Sequence, residues 1–476
     1  MRRVAGEEFL LVVLYAAFGT VFLTVFPPTL LVADSWLTLV AGREVVQHGL
    51  PSVDELTVLG LGQTWTDQQW GAQLLAYGSH ALGGNGPLAV VVALFAVGAF
   101  ALAAVAARTL GAGPRSILLV FFPVLLAAPW TFTIRAQVFA LPLFTGLIWL
   151  LASEARKPSR RVYLVFPLLV VWGNLHGSAA LAAMLTMLLG AIDLISTRGR
   201  SGPRSLALLA LSPLALLVTP YGPIDTARYY HLLLVDPPFG RELVTEWRHS
   251  VPAWDTLVFY LLAVLTLLAV VKGRRRLTLF DMATLAVTFA GAVLAIRGIP
   301  WFAMSCLILV PLALGPVLEA RVARIPRAFD RALSYGAVAL LGAVAVLALA
   351  RDDSWYLKNW PEEAVAAVRN SLTPDTRVFA TSRDADWVLW RIPELRGRLA
   401  YDVRFEIYDR ATFERIVRFR GEQGEDWKSL ADGYEVLVFE TEQDPSPHAP
   451  DFLAEPNART LYRDDRVTVV RRPASP

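Results

Sequence analysis

The chain has 476 residues, 55% of them hydrophobic and only 18% charged, with a formal net charge of +3 and a mean hydropathy of +0.48. A soluble chain carries roughly 25% charged residues, so this one cannot cover its own surface with polar groups and needs lipid to cover the rest. The composition excludes a soluble enzyme, a disordered chain and a disulfide scaffold, and the single cysteine, Cys306, can form no intrachain bridge.

Eleven apolar runs follow one another up to residue 350: Phe9–Val32, Pro87–Ala107, Ser116–Pro129, Gln137–Leu151, Val162–Trp172, Ser178–Ile195, Ser205–Val218, Thr256–Val271, Thr278–Ile296, Phe302–Val317 and Leu333–Ala350. A membrane span needs roughly 20 residues. Short runs such as Val162–Trp172 suit helices that end inside a protein-lined cavity. The first run is too long for a cleaved leader, ends in Phe26-Pro27-Pro28 and lacks a small-residue cleavage site. One set of loops holds nineteen basic residues: Arg2 and Arg3, Arg108 and Arg115, and the clusters within 156–161, 198–204, 272–276 and 321–331. The other set holds six: Arg43, Arg135, Arg228, Arg241, Arg248 and Arg297. Because positive loops stay inside, this predicts a cytoplasmic N-terminus and, with an odd number of spans, an extracytoplasmic C-terminus. The clustering is a topology signal, and no nucleic-acid partner is expected.

The sparsely charged loops carry the unusual residues. Asp34 lies where the first run ends. A carboxylate at that depth is costly unless hydrated, paired or metal-bound, which makes it a candidate for chemistry; the alternative is a cap on a helix beginning at Trp36. Trp36–Gln47 reads as an interfacial helix stopped by Gly49 and Pro51. Asp54-Glu55 follows, and Asp67–Ala81 reads as a second interfacial helix, with Trp65 and Trp70 at headgroup level. Asn174-Leu175-His176-Gly177 follows the shortest run and recesses His176, which can bind a phosphate or metal or transfer a proton. No second histidine stands at ligand spacing, so no zinc site is spelled out. Thr219-Pro220-Tyr221-Gly222 opens a structured loop that continues through Arg228, Tyr229, Glu246-Trp247 and Arg248. Arg297 ends its run before Gly298 and Pro300, where its fork suits a phosphate. The chain has no Walker-type loop and no Gly-rich dinucleotide turn.

Beyond Arg351 the composition turns polar. Strand-like stretches at Arg377–Ala380, Arg398–Asp402, Glu435–Glu440, Arg459–Tyr462 and Val467–Val470 alternate with helix-like ones at Glu362–Leu372, Ala385–Trp390 and Phe405–Arg418. They predict a small α/β domain over 351–476, with a hairpin turn at Asp464-Asp465. Residues 1–350 form the membrane part, with a first loop at 34–86. The acids of the tail are scattered, and the nearest cluster, Asp384 and Asp386, has no histidine beside it, so the domain reads as an accessory module.

Asp34–Trp36, Gly49–Asp54, Trp65–Trp70, Asn174–Gly177, Pro220–Gly222 and Glu246-Trp247 together resemble the motifs of a group of bacterial membrane proteins in the C-type glycosyltransferase (GT-C) superfamily. The stretches Trp387–Arg391 and Tyr401–Tyr408 are similar to that group as well. The resemblance covers nearly the whole chain. It implies an α-helical polytopic membrane fold of about 11 spans with a small extracytoplasmic α/β domain. It also implies an inverting transfer of sugar from a polyprenyl-phosphate donor to a lipid, glycan or protein acceptor, with Asp34 as the catalytic base. Arg297, His176, Asn174, Arg228, Tyr221, Glu246, Trp247, Asp54, Glu55, Gln69 and Trp70 are the candidate substrate-binding residues. No cofactor is assigned, and a divalent cation stays open. The chain departs from the group at two places: Ser35 stands where several members have a second acid, and Gln69 where many have Glu. The competing expectation is a lipid-binding or envelope-assembly protein with a degenerate site. Ion-coupled transport fits poorly, because Asp193 and Asp281 lie near span ends and the span centres lack acids.

Overall fold

The computed structural model describes residues 8–199, 201–235, 245–315, 327–441 and 448–473. Within them every apolar run folds as helix, the local structure that satisfies its own peptide groups in lipid. Seven helices are long and apolar enough to cross a membrane: Glu8–Val25, Asn85–Thr109, Ala136–Arg156, Ala179–Ser196, Leu257–Arg276, Ile296–Leu314 and Ala328–Ala350. Pro114–Ala127, Leu279–Leu294, Val165–Gly173 and Gly202–Ala215 are shorter. An apolar run records burial rather than the length of a crossing, so the eleven runs divide into these two kinds. Of the loop charges counted above, Arg2, Arg3, Arg200, Arg241, Arg321 and Arg324 lie outside the described residues.

Helix Ile299–Leu314 runs through the centre, buried along almost its whole length against Pro114–Ala127, Leu257–Gly273, Leu279–Leu294 and Asn85–Thr109. Asn85–Thr109 buries Ala89, Ala96, Ala99, Ala103 and Ala107, small side chains that let neighbouring backbones approach closely. At the end where the basic loops lie, helix-end acids are paired. Arg156 grips both oxygens of Asp281 at 3.1 and 2.7 Å, and Arg204 reaches Asp193 at 2.6 Å and Glu154 at 3.2 Å.

At the opposite end the first loop builds two helices, Ala33–His48 and Trp70–Ala81. The first begins earlier than expected, and Asp34 does not cap it. Val32 is the N-cap, and Ser35, three residues on, reaches back to it, its Oγ accepting from the Val32 N–H at 2.9 Å. Gly49, at φ 85°, ends it. The two helices touch at Gly42, where an added Cβ would lie 2.4 Å from the Gln73 carbonyl oxygen.

The polar tail folds around strands β1 (Val378–Ala380), β2 (Val436–Glu440), β3 (Arg459–Arg463) and β4 (Val467–Arg471), in the order β1-β2-β4-β3. The β1–β2 pair is parallel and the others antiparallel. The Asp464 carboxylate accepts from the N–H groups of Arg466 and Val467 at 2.8 and 2.6 Å and closes the expected hairpin. Arg398–Asp402 does not form the expected strand. Only Leu399 pairs, bridging Val378 on one side and Thr57 of the first loop on the other, while Asp402 is drawn into a turn by the Arg404 N–H at 2.9 Å.

Leu399 thereby joins the first loop to this domain, and charge reinforces the join. The buried Arg404 guanidinium donates to Asp54 at 2.7 Å and to Asp402 at 2.8 Å, and lies 4.1 Å from the Trp65 ring centre. Trp65 is therefore buried beneath an arginine instead of sitting at headgroup level. Arg43 donates to the carbonyls of Leu389 and Trp390 at the end of helix Ala385–Arg391, both at 3.0 Å, where a cation meets the negative end of the helix dipole. Arg396 bridges Glu44 and Glu55.

Candidate active site

Asp34 stands in the first turn of helix Ala33–His48, and its position is fixed through its neighbour. The buried Ser35 Oγ donates to the Ile134 carbonyl at 2.5 Å, and the Ile134 N–H donates to the Leu30 carbonyl at 2.8 Å. These two bonds staple the segment before helix Ala136–Arg156 to the end of the first span and bring Arg135, the next residue, onto Asp34. Arg135 Nε lies 3.2 Å from Asp34 Oδ2, and Arg135 Nη1 is paired with Glu246 Oε1. A second carboxylate in place of Ser35 would face a carbonyl in a buried site.

Glu246 and Trp247 share a short 3-10 turn, and the Arg297 guanidinium lies 4.3 Å from the Trp247 ring centre. Arg297 just precedes the N-terminus of helix Ile299–Leu314, where the helix dipole adds to its positive charge. Among the described residues it has no carboxylate at ion-pair distance. The side chains of Asp34 and Glu246 are 41% and 42% exposed, so a ligand can reach the ion-pair chain.

Burial pushes the Asp34 carboxyl above its ordinary value. Arg135 and Arg297 oppose the shift, and Glu246 adds to it. Burial works against the charge of Glu246 too, but Arg135, with help from Arg297, outweighs it and holds that carboxyl below its usual range. His176 is buried, and this together with Arg297 pushes its imidazole down to about 3. The ring is therefore neutral. Its Nδ1 accepts from the Ser178 N–H at 3.1 Å and meets the Ser178 hydroxyl at 2.7 Å, which assigns the ring proton to Nε2, a hydrogen-bond donor.

The other candidates divide between this centre and its supports. Asn174 commits both amide protons to the carbonyls of Val170 and Val218, at 2.8 and 2.9 Å, and accepts from Trp70 Nε1 at 3.0 Å. It thus ties the first loop to the turn that holds Tyr221. Gly71 completes the tie, its N–H donating to the Asn174 carbonyl at 3.1 Å. Tyr221 is half-buried near Asp67, whose carboxyl burial raises to about 7 and which accepts from Gln73 Nε2 at 2.8 Å and the Gln69 N–H at 3.3 Å. Asp54 is wholly buried on Arg404, and Glu55 is paired with Arg396, so neither is brought to Asp34. Arg228 is exposed on helix Gly222–Leu234 and makes none of these contacts.

Sequence reasoning missed Arg135 as a site residue. Its only signal was being one of six basic residues in the loops of that face. It also missed the C-terminal domain's contribution. Asp386 is wholly buried, raised well above its ordinary range by burial and by Asp402, and within the field of Asp34; Glu406 is exposed and within the field of Arg297.

The fold is that of a polytopic membrane protein with helical spans and a small α/β domain. Similar solved structures place it among GT-C-like folds. ArnT from Cupriavidus metallidurans bound to undecaprenyl phosphate superposes with a TM-score of 0.56 over 98% of each chain, at 15% identity. The oligosaccharyltransferase AglB from Archaeoglobus fulgidus, in complex with an inhibitory peptide and a dolichol-phosphate, gives 0.52 over 91% of this chain and 69% of that one, at 12% identity. Arabinofuranosyltransferase AftD from Mycobacteria gives 0.51 over 98% of this chain and 42% of that one, at 14% identity. No protein-family model matches the sequence, and no curated protein matches it by sequence.

Proposed function

We propose that this protein is a membrane glycosyltransferase that moves a sugar from a polyprenyl-phosphate donor to an acceptor hydroxyl at the extracytoplasmic face, with inversion. The observation that carries the reading is the accessible Asp34–Arg135–Glu246 ion-pair chain with Arg297 beside it, a cation stacked on Trp247 that has no carboxylate at ion-pair distance among the described residues. Asp34 takes the proton of the acceptor hydroxyl as that oxygen bonds to the anomeric carbon, and the bond from that carbon to the phosphate oxygen breaks with its electron pair on polyprenyl phosphate. Arg297, the helix N-terminus behind it and the Nε2–H of His176 meet the growing phosphate charge. The undecaprenyl phosphate on ArnT and the dolichol-phosphate on AglB support a lipid-phosphate donor. The nineteen-to-six loop-charge split supports a cell-membrane location with the N-terminus cytoplasmic and residues 351–476 extracytoplasmic. Asp34→Asn keeps the size and loses the base, so turnover of a lipid-linked sugar should fall roughly 10²–10⁴-fold while lipid binding persists. Near-wild-type turnover in that variant would remove Asp34 as base, and lipid binding without any turnover in wild type would favour a lipid-binding protein.

A further inference from the structure

A divalent cation at this centre would need several oxygen ligands, carboxylates foremost. The two accessible carboxylates, Asp34 and Glu246, already share one guanidinium, that of Arg135. Two further side chains, Ser35 and His176, are otherwise engaged. The Ser35 hydroxyl is committed to Val32 and Ile134, and His176 offers a proton at Nε2 because Nδ1 accepts from Ser178. The field of Arg297 reaches both Asp34 and Glu246 and repels a further cation. Among the described residues no group of three or more His, Cys, Asp or Glu side chains is arranged to hold a metal ion. The donor set does not fit a divalent cation.

We infer that the cation serving the Asp34 carboxylate is the chain's own Arg135 guanidinium, held between Asp34 and Glu246, and that this position excludes a divalent metal ion. Charge accounting under the proposed reaction, on which this part rests, explains why a fixed cation is enough. Transfer turns a phosphodiester bearing one negative charge into a phosphate monoester bearing about two, while Asp34 loses one by taking the acceptor proton. The total charge facing Arg135 and Arg297 is unchanged, and no ion has to enter or leave. Glu246 holds the Arg135 guanidinium in place once Asp34 is protonated, so its charge stays available to the departing phosphate.

The test uses the full-length protein in lipid nanodiscs, with Mn²⁺ as the probe, read by electron paramagnetic resonance. Wild type and Asp34→Asn should bind Mn²⁺ alike and weakly. Arg135→Ala leaves Asp34 and Glu246 without their shared cation and should gain a site at least about tenfold tighter, which disappears in the Arg135→Ala/Asp34→Asn double variant. Arg135→Met keeps the aliphatic stem, is measured in parallel should the alanine variant fold poorly, and should behave the same way. Tighter Mn²⁺ binding by wild type than by Asp34→Asn, or no gained site in either Arg135 variant, would overturn the inference. This readout needs neither polyprenyl phosphate nor turnover. Absence of polyprenyl-phosphate binding or turnover would therefore count against the proposed reaction and leave the assignment of the cation standing. Where turnover is present, it should survive excess EDTA, and its loss there would overturn the inference.

Discussion

Removing the Arg135 charge should move the pH dependence of turnover in a direction the geometry fixes. Burial and Glu246 push the Asp34 carboxyl up, and Arg135 and Arg297 pull it down. In Arg135→Gln one of the two opposing charges is gone and Glu246 is left without its partner, so the Asp34 pKa must rise. At the 3.2 Å separation of the pair, Coulomb's law gives about 5 kcal/mol at an effective dielectric of ~20 and about 1.3 kcal/mol at the ~80 of water. Asp34 is 41% exposed, so screening favours the lower part of that interval. About 1.4–2.7 kcal/mol corresponds to roughly 1–2 pK units.

A base must be ionised to accept a proton, so turnover falls as pH drops through its pKa. The acidic limb of kcat should therefore shift upward by about 1–2 units in Arg135→Gln. Glu246→Gln supplies the opposite sign: it removes a charge that raises Asp34 and leaves Arg135 wholly to Asp34, so the limb should move to lower pH. The assay is turnover of a lipid-linked sugar across the acidic and neutral range in detergent or nanodiscs. An acidic limb that stays put in Arg135→Gln, or moves the same way in both variants, would refute the assignment of Asp34 as the titrating base beside Arg135.

Ser35→Ala breaks the bond to Ile134 and loosens the staple that presents Arg135. It should shift the acidic limb in the same direction as Arg135→Gln, at a stability cost of about 1–3 kcal/mol for the buried partners left unpaired, read by thermal unfolding. Arg297→Ala should weaken polyprenyl-phosphate binding by roughly 10–100-fold, the worth of a charge-assisted contact of about 1.5–3 kcal/mol, measured by lipid titration, and should move the acidic limb upward as Arg135→Gln does. Arg404→Ala strips the cation from the buried carboxylates of Asp54 and Asp402 and should destabilise by about 3–5 kcal/mol, read as a lowered unfolding temperature.

What could be read from the sequence follows the range of the interactions. The membrane helices were legible because lipid imposes one solution on an apolar run, and Asp34 stood out because a carboxylate at the end of such a run needs a reason. The division of eleven runs into long and short helices was legible in part: Val162–Trp172 stood out as short and folds as the short helix Val165–Gly173, whereas the long run Thr278–Ile296 gave no sign that Leu279–Leu294 would be short. Arg135 was hidden because its place depends on the Ser35–Ile134 bond, which spans 99 residues. Asp54 looked like a free acid in a loop because its partner Arg404 lies 350 residues away. Ser35 was noticed only as a departure from a motif, although its hydroxyl brings Asp34 and Arg135 together.

The change of composition at Arg351 marks a boundary in solvent but not in energetics. On one side of it, the first loop supplies Arg43, Glu44, Asp54, Thr57 and Trp65. On the other, Leu389, Trp390, Arg396, Leu399 and Arg404 receive them. Arg43 and Glu44 sit on helix Ala33–His48, so the C-terminal domain grips the far end of the element whose first turn carries Asp34, the proposed base. Ser35 holds the near end against the helices of the membrane. A rigid helix held at both ends keeps its first turn in register with Arg135, which the ion-pair chain requires and a loop-borne carboxylate would lose. Asp386, wholly buried and raised well above its ordinary range by burial and by Asp402, lies within the field of Asp34. Under the proposed reaction the domain acts through position and field, and its sequence need not contain a nucleophile or a base of its own.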